Sequence, residues 1–351
     1  MDMWRLVKPL SALAAACFTL GLIAILADRP VNAVPPAENL LPGFAEKIDT
    51  AHMLEIVHGR GMSGAVTLSF TRTPEGWVMR ERDDYPAQQE LVNETLLALA
   101  GLQTQAARTA QAKWHRALSL VVPEEFGKAI RFRVLDKDAN VLADVLLGKE
   151  ETSEVAAVQQ VKQLGTVTRN FYVRLADSAQ TWLARGRLPR NDQIGAWLDP
   201  SFPHQEQDQL AEVRFANGET RHSIERMPNG SWDKPGAERW LAGFSRLQLE
   251  DVSPDSAINF DAGVPLELHY TNGLIVRFES VGAATTLWTR ARALVSDDKP
   301  VPDEKAQEND EAGNEAREIA AALNARFGGW ALRLPTSAAA QLMATAADLD
   351  N

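Results

Sequence analysis

Apolar and polar positions change period several times along the chain, and the changes come in a recurring order. Met53 to His58 alternate weakly, and Ala65 to Phe70 alternate with β-branched residues, which predicts two strands around the loop Gly59–Gly64. The polar turn Thr73-Pro74-Glu75-Gly76-Trp77 follows, then a short strand Trp77-Val78-Met79. Leu91, Val92, Leu96, Leu99 and Leu102 fall on one helical face, with Pro86 suited to the first turn and Gly101 to the stop. Ile130–Leu135 and Val141–Leu147 alternate around Asp136–Asn140, and Phe171–Arg174 pairs with Thr181–Leu183 as a second hairpin. A short helical piece at Ile194–Leu198 closes this half.

The order then restarts near Leu210. Val213–Phe215 and Arg221–Arg226 flank Asn217-Gly218, and Met227-Pro228-Asn229-Gly230-Ser231-Trp232 repeats the turn and its tryptophan. A helix carrying Trp240, Leu241, Phe244 and Leu247 comes next. Leu266–Tyr270 and Leu274–Phe278 flank Asn272-Gly273, the strongest hairpin signal present, and Thr285–Leu294 reads as a strand. Residues 297–318 are acidic and polar, with Pro300 and Pro302, and are expected as a mobile insert leading into a helix that begins near Ala316. Phe327-Gly328-Gly329-Trp330 repeats the Gly-Trp strand as a half unit that completes or caps the second sheet, before a short helix at Leu342-Met343.

The expected fold is α+β. Two tandem copies of a hairpin–Trp strand–helix–hairpin unit form mostly antiparallel sheets with helices on one face, at 49–205 and 206–351. Trp77, Trp232 and Trp330 are expected as structural anchors filling the gap between a strand and the following helix.

The beginning of the chain changes the picture. Residues 10–27 are an apolar run, long enough as a helix to span roughly 27 Å, close to a bilayer core. Arg5 and Lys8 in the tip 1–9 keep that end cytoplasmic, so everything after Ala27 is expected outside. A cleaved signal peptide competes, because Val31-Asn32-Ala33 resembles a cleavage site. The run exceeds the roughly 7–15 residues of a signal core, which favours an uncleaved transmembrane anchor. Lipidation at Cys17 does not fit, since the apolar run continues from Phe18 to Leu26. Trp4 suits the bilayer edge, and the prolines of 28–48 suggest a semi-extended linker.

The 351 residues carry net charge −11, which argues against nucleic acid and against a broad grip on anionic lipid. A single cysteine excludes an internal disulfide and a cysteine-based zinc site. Gly59–Gly64 fits G-x-G-x-x-G, but a strand follows where a dinucleotide site needs a helix. The same loop misses the nucleophile elbow, because Ala65 stands at the last glycine. Asp136–Asn140 imitates the start of a calcium loop but has Val141 for the glycine and Leu147 for the closing acid. His52, His58, His115, His204, His222 and His269 form no metal pair on a predicted helix, and the acidic pairs Glu81/Asp83 and Glu124/Glu125 sit in polar turns. No catalytic, metal or cofactor site is expected.

Gly76-Trp77, Tyr85-Pro86, Phe171-Tyr172-Val173-Arg174, Trp182-Leu183, Trp197-Leu198-Asp199 and Gly329-Trp330-Ala331-Leu332-Arg333-Leu334-Pro335 together resemble the bacterial domain-of-unknown-function family 4340. The chain departs from the pattern where Ser231 separates Gly230 from Trp232 and in the acidic insert. The resemblance implies one membrane helix with an extracytoplasmic α+β domain, in a single-pass protein of the inner (cytoplasmic) membrane facing the periplasm. It also implies genes placed beside components of a gliding-motility-type ABC transporter. The function expected from it is non-enzymatic: a membrane-anchored interaction domain, an accessory of an ABC-transporter-like envelope complex. Sheet edges and the acidic insert are its expected contact surfaces. The alternative is a periplasmic binding module for cell-envelope glycan or lipid, which would need aromatic side chains lining a groove.

Overall fold

The computed structural model describes residues 38–151, 169–200, 209–217, 220–241, 248–283, 285–296 and 306–343. The expected membrane segment at 10–27 lies outside them. Among the described residues, no helix is long and apolar enough to cross a membrane.

The first half contributes β1 (Glu38–Asn39), β2 (Ala51–Gly59), β3 (Ala65–Thr73), β4 (Gly76–Met79), β5 (Tyr85–Pro86), helix α1 (Gln89–Ala100) and β6 (Gln103–Ala107). It continues with β7 (Ile130–Asp136), β8 (Val141–Glu150), β9 (Arg169–Leu175) and β10 (Trp182–Gly186). The second contributes β11 (Leu210–Asn217), β12 (Thr220–Glu225), α2 (Ala237–Leu241), β13 (Asp251–Pro254), β14 (Val264–Tyr270) and β15 (Leu274–Val281). β16 (Trp288–Val295), α3 (Ala306–Phe327), β17 (Trp330–Arg333) and α4 (Thr336–Leu342) complete it. Ten strands form one sheet in the order β1-β6-β10-β9-β8-β7-β2-β3-β4-β5. Seven form the other in the order β12-β11-β14-β15-β16-β17-β13. Every strand pairing is antiparallel, so the α+β class holds.

Period-two alternation sets the faces. Leu54 and Ile56 of β2, Leu68 and Phe70 of β3, Phe132 and Val134 of β7, and Val145 and Leu147 of β8 all point into one core. Val92, Leu96 and Leu99 of α1 are buried with them. The same core continues without a break into the second sheet through Val213, Leu268, Val276 and Phe278. There α3 lies against β15 and β16 and buries Ala316, Ala320, Leu323 and Phe327, one stripe of the helix. The Asn324 carboxamide donates to the Ala293 carbonyl (2.8 Å) and accepts from its N–H (2.9 Å), occupying strand-edge groups that β17 does not reach.

Three expectations need correction. The linker expected over 28–48 is folded from residue 38: Leu40, Leu41 and Phe44 are buried, because this stretch has enough apolar surface to join the core. Pro86 sits in β5, not in a helix; its lack of an N–H is tolerated on an edge strand. The acidic segment is helical from Ala306, well before Ala316. Beyond Pro302 it has no proline and is rich in helix formers, and this outweighs the missing apolar stripe. The half unit at Trp330 completes the second sheet from inside, with β17 between β16 and β13.

A loop between β6 and β7 covers the outer face of the first sheet, where Leu120, Ala129 and Leu146 make a second, small apolar cluster. Arg174 is buried beside it and forms no ion pair among the described residues. Its guanidinium donates to the carbonyls of Leu120 (3.0 Å), Leu175 (3.2 Å), Ala176 (3.0 Å) and Ser178 (3.1 Å). Burial holds its pKa below the usual arginine range. A lysine has one donor centre and cannot span four carbonyls. Arg174→Lys is therefore expected to lower stability by about 1–3 kcal/mol in urea unfolding. Hydrogen exchange should also quicken in residues 108–129.

Candidate functional site

A concave cleft lies where the two sheets meet, and the chain makes it locally. After β10 the segment 191–200 runs as a strap along the first sheet. The bridge Ala87↔Leu198 sets it against the residue after β5. The Gln88 N–H donates to the Trp197 carbonyl (2.8 Å) and the Asp199 N–H to the Pro86 carbonyl (3.1 Å). Trp197 is fully buried against Phe70, ring centroids 5.0 Å apart, and its indole N–H reaches the Asn191 carbonyl at 3.2 Å. Gly195 lets the strap touch the second half: a Cβ there would stand 2.0 Å from the Leu249 carbonyl oxygen.

Residues from both halves lock together beside the strap. The Tyr85 ring meets Trp330 edge-on, centroids 5.0 Å apart. The Arg326 guanidinium lies 5.2 Å over the Tyr85 ring and pairs with the Asp199 carboxylate at 2.7 Å. The Tyr85 hydroxyl donates to the Asp199 carbonyl at 3.3 Å. Arg82 of the first half bonds Asp251 of the second, and Arg333 approaches the same carboxylate at 3.6 Å. The cleft left between the halves holds about 840 Å³. Arg60 and Asp192 pair at its rim (2.5 Å), and Gln88, Gln193 and Gln248 offer carboxamides. Among the described residues, no tryptophan, tyrosine or phenylalanine lines it. Its charged groups pair with one another at the joint.

His58 and Tyr85 at the joint are displaced in opposite directions. Burial lowers the pKa of His58; Asp192 opposes the shift, while Arg60 and Arg190 add to it. Burial pushes Tyr85 up to about 12, with Arg326 opposing and Asp199 assisting. A raised tyrosine pKa leaves stability untouched below about pH 10, where both states are protonated. Stability is then lost as pH rises toward about 12, because the unfolded chain ionises first. Tyr270, likewise raised to about 12 by burial, acts in the same window. Stability measured across pH 9–12 should show this fall, and Tyr85→Phe should flatten it.

The three expected anchors do different jobs. Trp77 is 3 % exposed and bonded to α1: the Gln89 carboxamide accepts from its N–H (2.7 Å) and donates to its carbonyl (2.9 Å). Its indole N–H reaches Asn93 at 3.2 Å. Trp232 is half-buried, bridged to Arg226, and the residue that binds helix to sheet there is Trp240, its ring tilted against Phe215 with centroids 5.3 Å apart. Trp330 reaches across to Tyr85 rather than to a following helix, because β17 is an interior strand. Sequence reasoning also missed Gln89, Arg82, Asp251 and Arg326. The ion-pair partners of Arg82, Asp251 and Arg326 lie far off in the chain, and nothing local marks a residue for a distant ion pair.

The tested motifs resolve into turns. Gly59–Gly64 is a hairpin loop with β3 following it. The Asp136 carboxylate accepts the N–H groups of Asp138 and Asn140 and the Asn140 side chain, all at 2.9 Å, so a turn occupies it. Glu81 caps the Ser69 N–H, Glu124 pairs with Arg131, His115 bonds the Ala179 carbonyl, and His269 pairs with Glu267. His204 lies outside the described residues. Among the described residues, no group of three His, Cys, Asp or Glu side chains is placed to hold a metal ion.

No curated protein and no solved structure matches the chain. The motif residues Trp77, Tyr85-Pro86, Phe171–Arg174 and Trp197-Leu198-Asp199 all prove to be fasteners, of strand to helix, loop to sheet or half to half. They fall within residues 77–262, more than half of the chain, which match the family model described as a domain of unknown function, DUF4340, and the protein belongs to that family.

Proposed function

We propose that this protein is a membrane-anchored extracytoplasmic interaction domain, an accessory component of an ABC-transporter-like envelope complex. The observation that carries the interaction reading is how the motif residues are used. Tyr85, Trp197, Asp199, Arg326 and Trp330 hold two open sheets in one body. A rigid two-sheet body presents edges and a polar joint to a partner. The anchoring reading rests on the apolar run at 10–27 behind Arg5 and Lys8. Such an anchor raises the effective concentration of the domain beside a membrane partner. The glycan or lipid reading receives less support, since among the described residues the cleft offers carboxamides but no aromatic platform. The deciding experiment purifies the tagged full chain in mild detergent and identifies co-purifying membrane proteins. Transporter components are expected; recovery alone, at monomer mass, would sink the proposal.

A further inference from the structure

The strand orders of the two sheets correspond position by position. β6-β10-β9-β8-β7-β2-β3 of the first sheet matches β13-β17-β16-β15-β14-β11-β12 of the second. In this correspondence β12 takes the place of β3. The edge of β3 is covered: Arg72 pairs with Trp77, Thr71 with Val78 and Phe70 with Met79, and β5 lies beyond. The edge of β12 begins in the same way and then stops. Arg226 pairs with Trp232, and Asp233 exchanges two bonds with Glu225, its N–H donating to the Glu225 carbonyl and its carboxylate accepting the Glu225 N–H, both at 3.1 Å. Pro235 and Gly236 then turn the chain away, so no further strand residues follow.

The direction of the remaining backbone groups follows from two bonds. Arg226 donates inward to the Ala211 carbonyl (2.9 Å), and Glu225 donates outward to Asp233. With period two, Ser223 and Arg221 turn their N–H and carbonyl groups outward, as Glu225 does. Among the described residues nothing hydrogen-bonds the outward N–H or carbonyl of Ser223. The strand is not blunted there: its six-residue register with β11 has no bulge, and it contains no proline.

We propose that this edge of β12 receives an extended segment of a protein partner, added as the strand that β4 supplies in the first sheet. The inference rests on the interaction reading above and names where the partner binds. The first sheet indicates what fits. In β4 the alternate residues Trp77 and Met79 are buried while Gly76 and Val78 are not. The incoming segment therefore carries apolar side chains at alternate positions, laid beside the buried Ile224. Its other positions are polar, because a depression of about 370 Å³ beside Ser223 is flanked by Arg214, Glu267 and Arg277. A second copy of this chain is the poorer occupant, since each copy carries net charge −11.

The test uses the full-length protein in detergent with the membrane components it co-purifies. Ser223→Pro removes only an outward N–H, so the pairing with β11 should stay and melting should be unchanged. Partner recovery should fall at least about tenfold, as expected when the ladder of an added strand is blocked. Hydrogen exchange on the unaltered protein supplies a second readout that needs no variant: the Ser223 amide should slow in the complex relative to the chain alone. A photoreactive amino acid at 223 should give an adduct with another protein, and the same probe at the exposed Val141 should give none. Full partner recovery with folded Ser223→Pro, an unprotected Ser223 amide in the complex, or an adduct with a second copy would each overturn the inference while leaving the interaction reading standing. A full-length protein that recovers no partner would overturn both.

Discussion

Trp77→Ala is expected to lower the unfolding free energy by about 3–5 kcal/mol, the range for truncating a large buried aromatic. The indole is 3 % exposed, and its removal leaves a cavity between β4 and α1. It also strips Asn93 of a donor and takes away the ring beneath the Arg72 guanidinium, now 5.8 Å from its centroid. The surroundings cannot easily collapse into the gap. Gln89 grips both backbone groups of Trp77, and a Cβ on Gly76 would stand 2.6 Å from the Gln89 side-chain oxygen. Urea unfolding of the variant decides the matter. A loss within about 0.5 kcal/mol, accompanied by lost partner binding, would make Trp77 a contact residue instead.

Gly195→Ala should disturb the molecule differently, by separating its halves. The added methyl would meet the Leu249 carbonyl oxygen at 2.0 Å and the Glu250 Cα at 2.8 Å. These are backbone atoms and cannot swing aside as a side chain can. Relief requires the strap to lift from the second half, at a cost of about 1–3 kcal/mol or more. The pairs Arg82–Asp251 and Asp199–Arg326 span the same joint and would be stretched with it. The expected result is a thermal transition that divides in two and faster proteolysis within 187–200. A single transition at the original temperature would show that the joint does not depend on this contact.

What could be read from the sequence was local. Asn272-Gly273 announced its hairpin because a left-handed glycine (φ +90°) and an asparagine capping the Leu274 N–H suffice to form it. The helix at Gln89–Ala100 was visible in one apolar face and its glycine stop. Strand partners were not. β6 and β13 are short and carry little pattern, and each pairs with a strand far along the chain. The acidic run hid a helix because helix formation there does not depend on an apolar stripe. The motif positions were recognisable, but their purpose was not. Tyr85, Trp197 and Asp199 look unrelated until folding sets them around one joint. The matched span begins at Trp77 and excludes 329–335, yet Trp330 from that stretch completes the contact with Tyr85.

The pairing of β13 with β17 bears on how the protein is made. Residues 251–254 wait for residues 330–333 before their edge is covered. The chain leaves the ribosome from its beginning, so the first sheet has all its strands once Gly186 has emerged. The second cannot close until residues 330–333 arrive, and in the interval Trp288 and Thr289 of β16 are paired on the β15 side alone. If the domain crosses a membrane as it is made, this late closure keeps the second half pliable during passage. A chain ending after Val295 would arrive with its sheet permanently ajar.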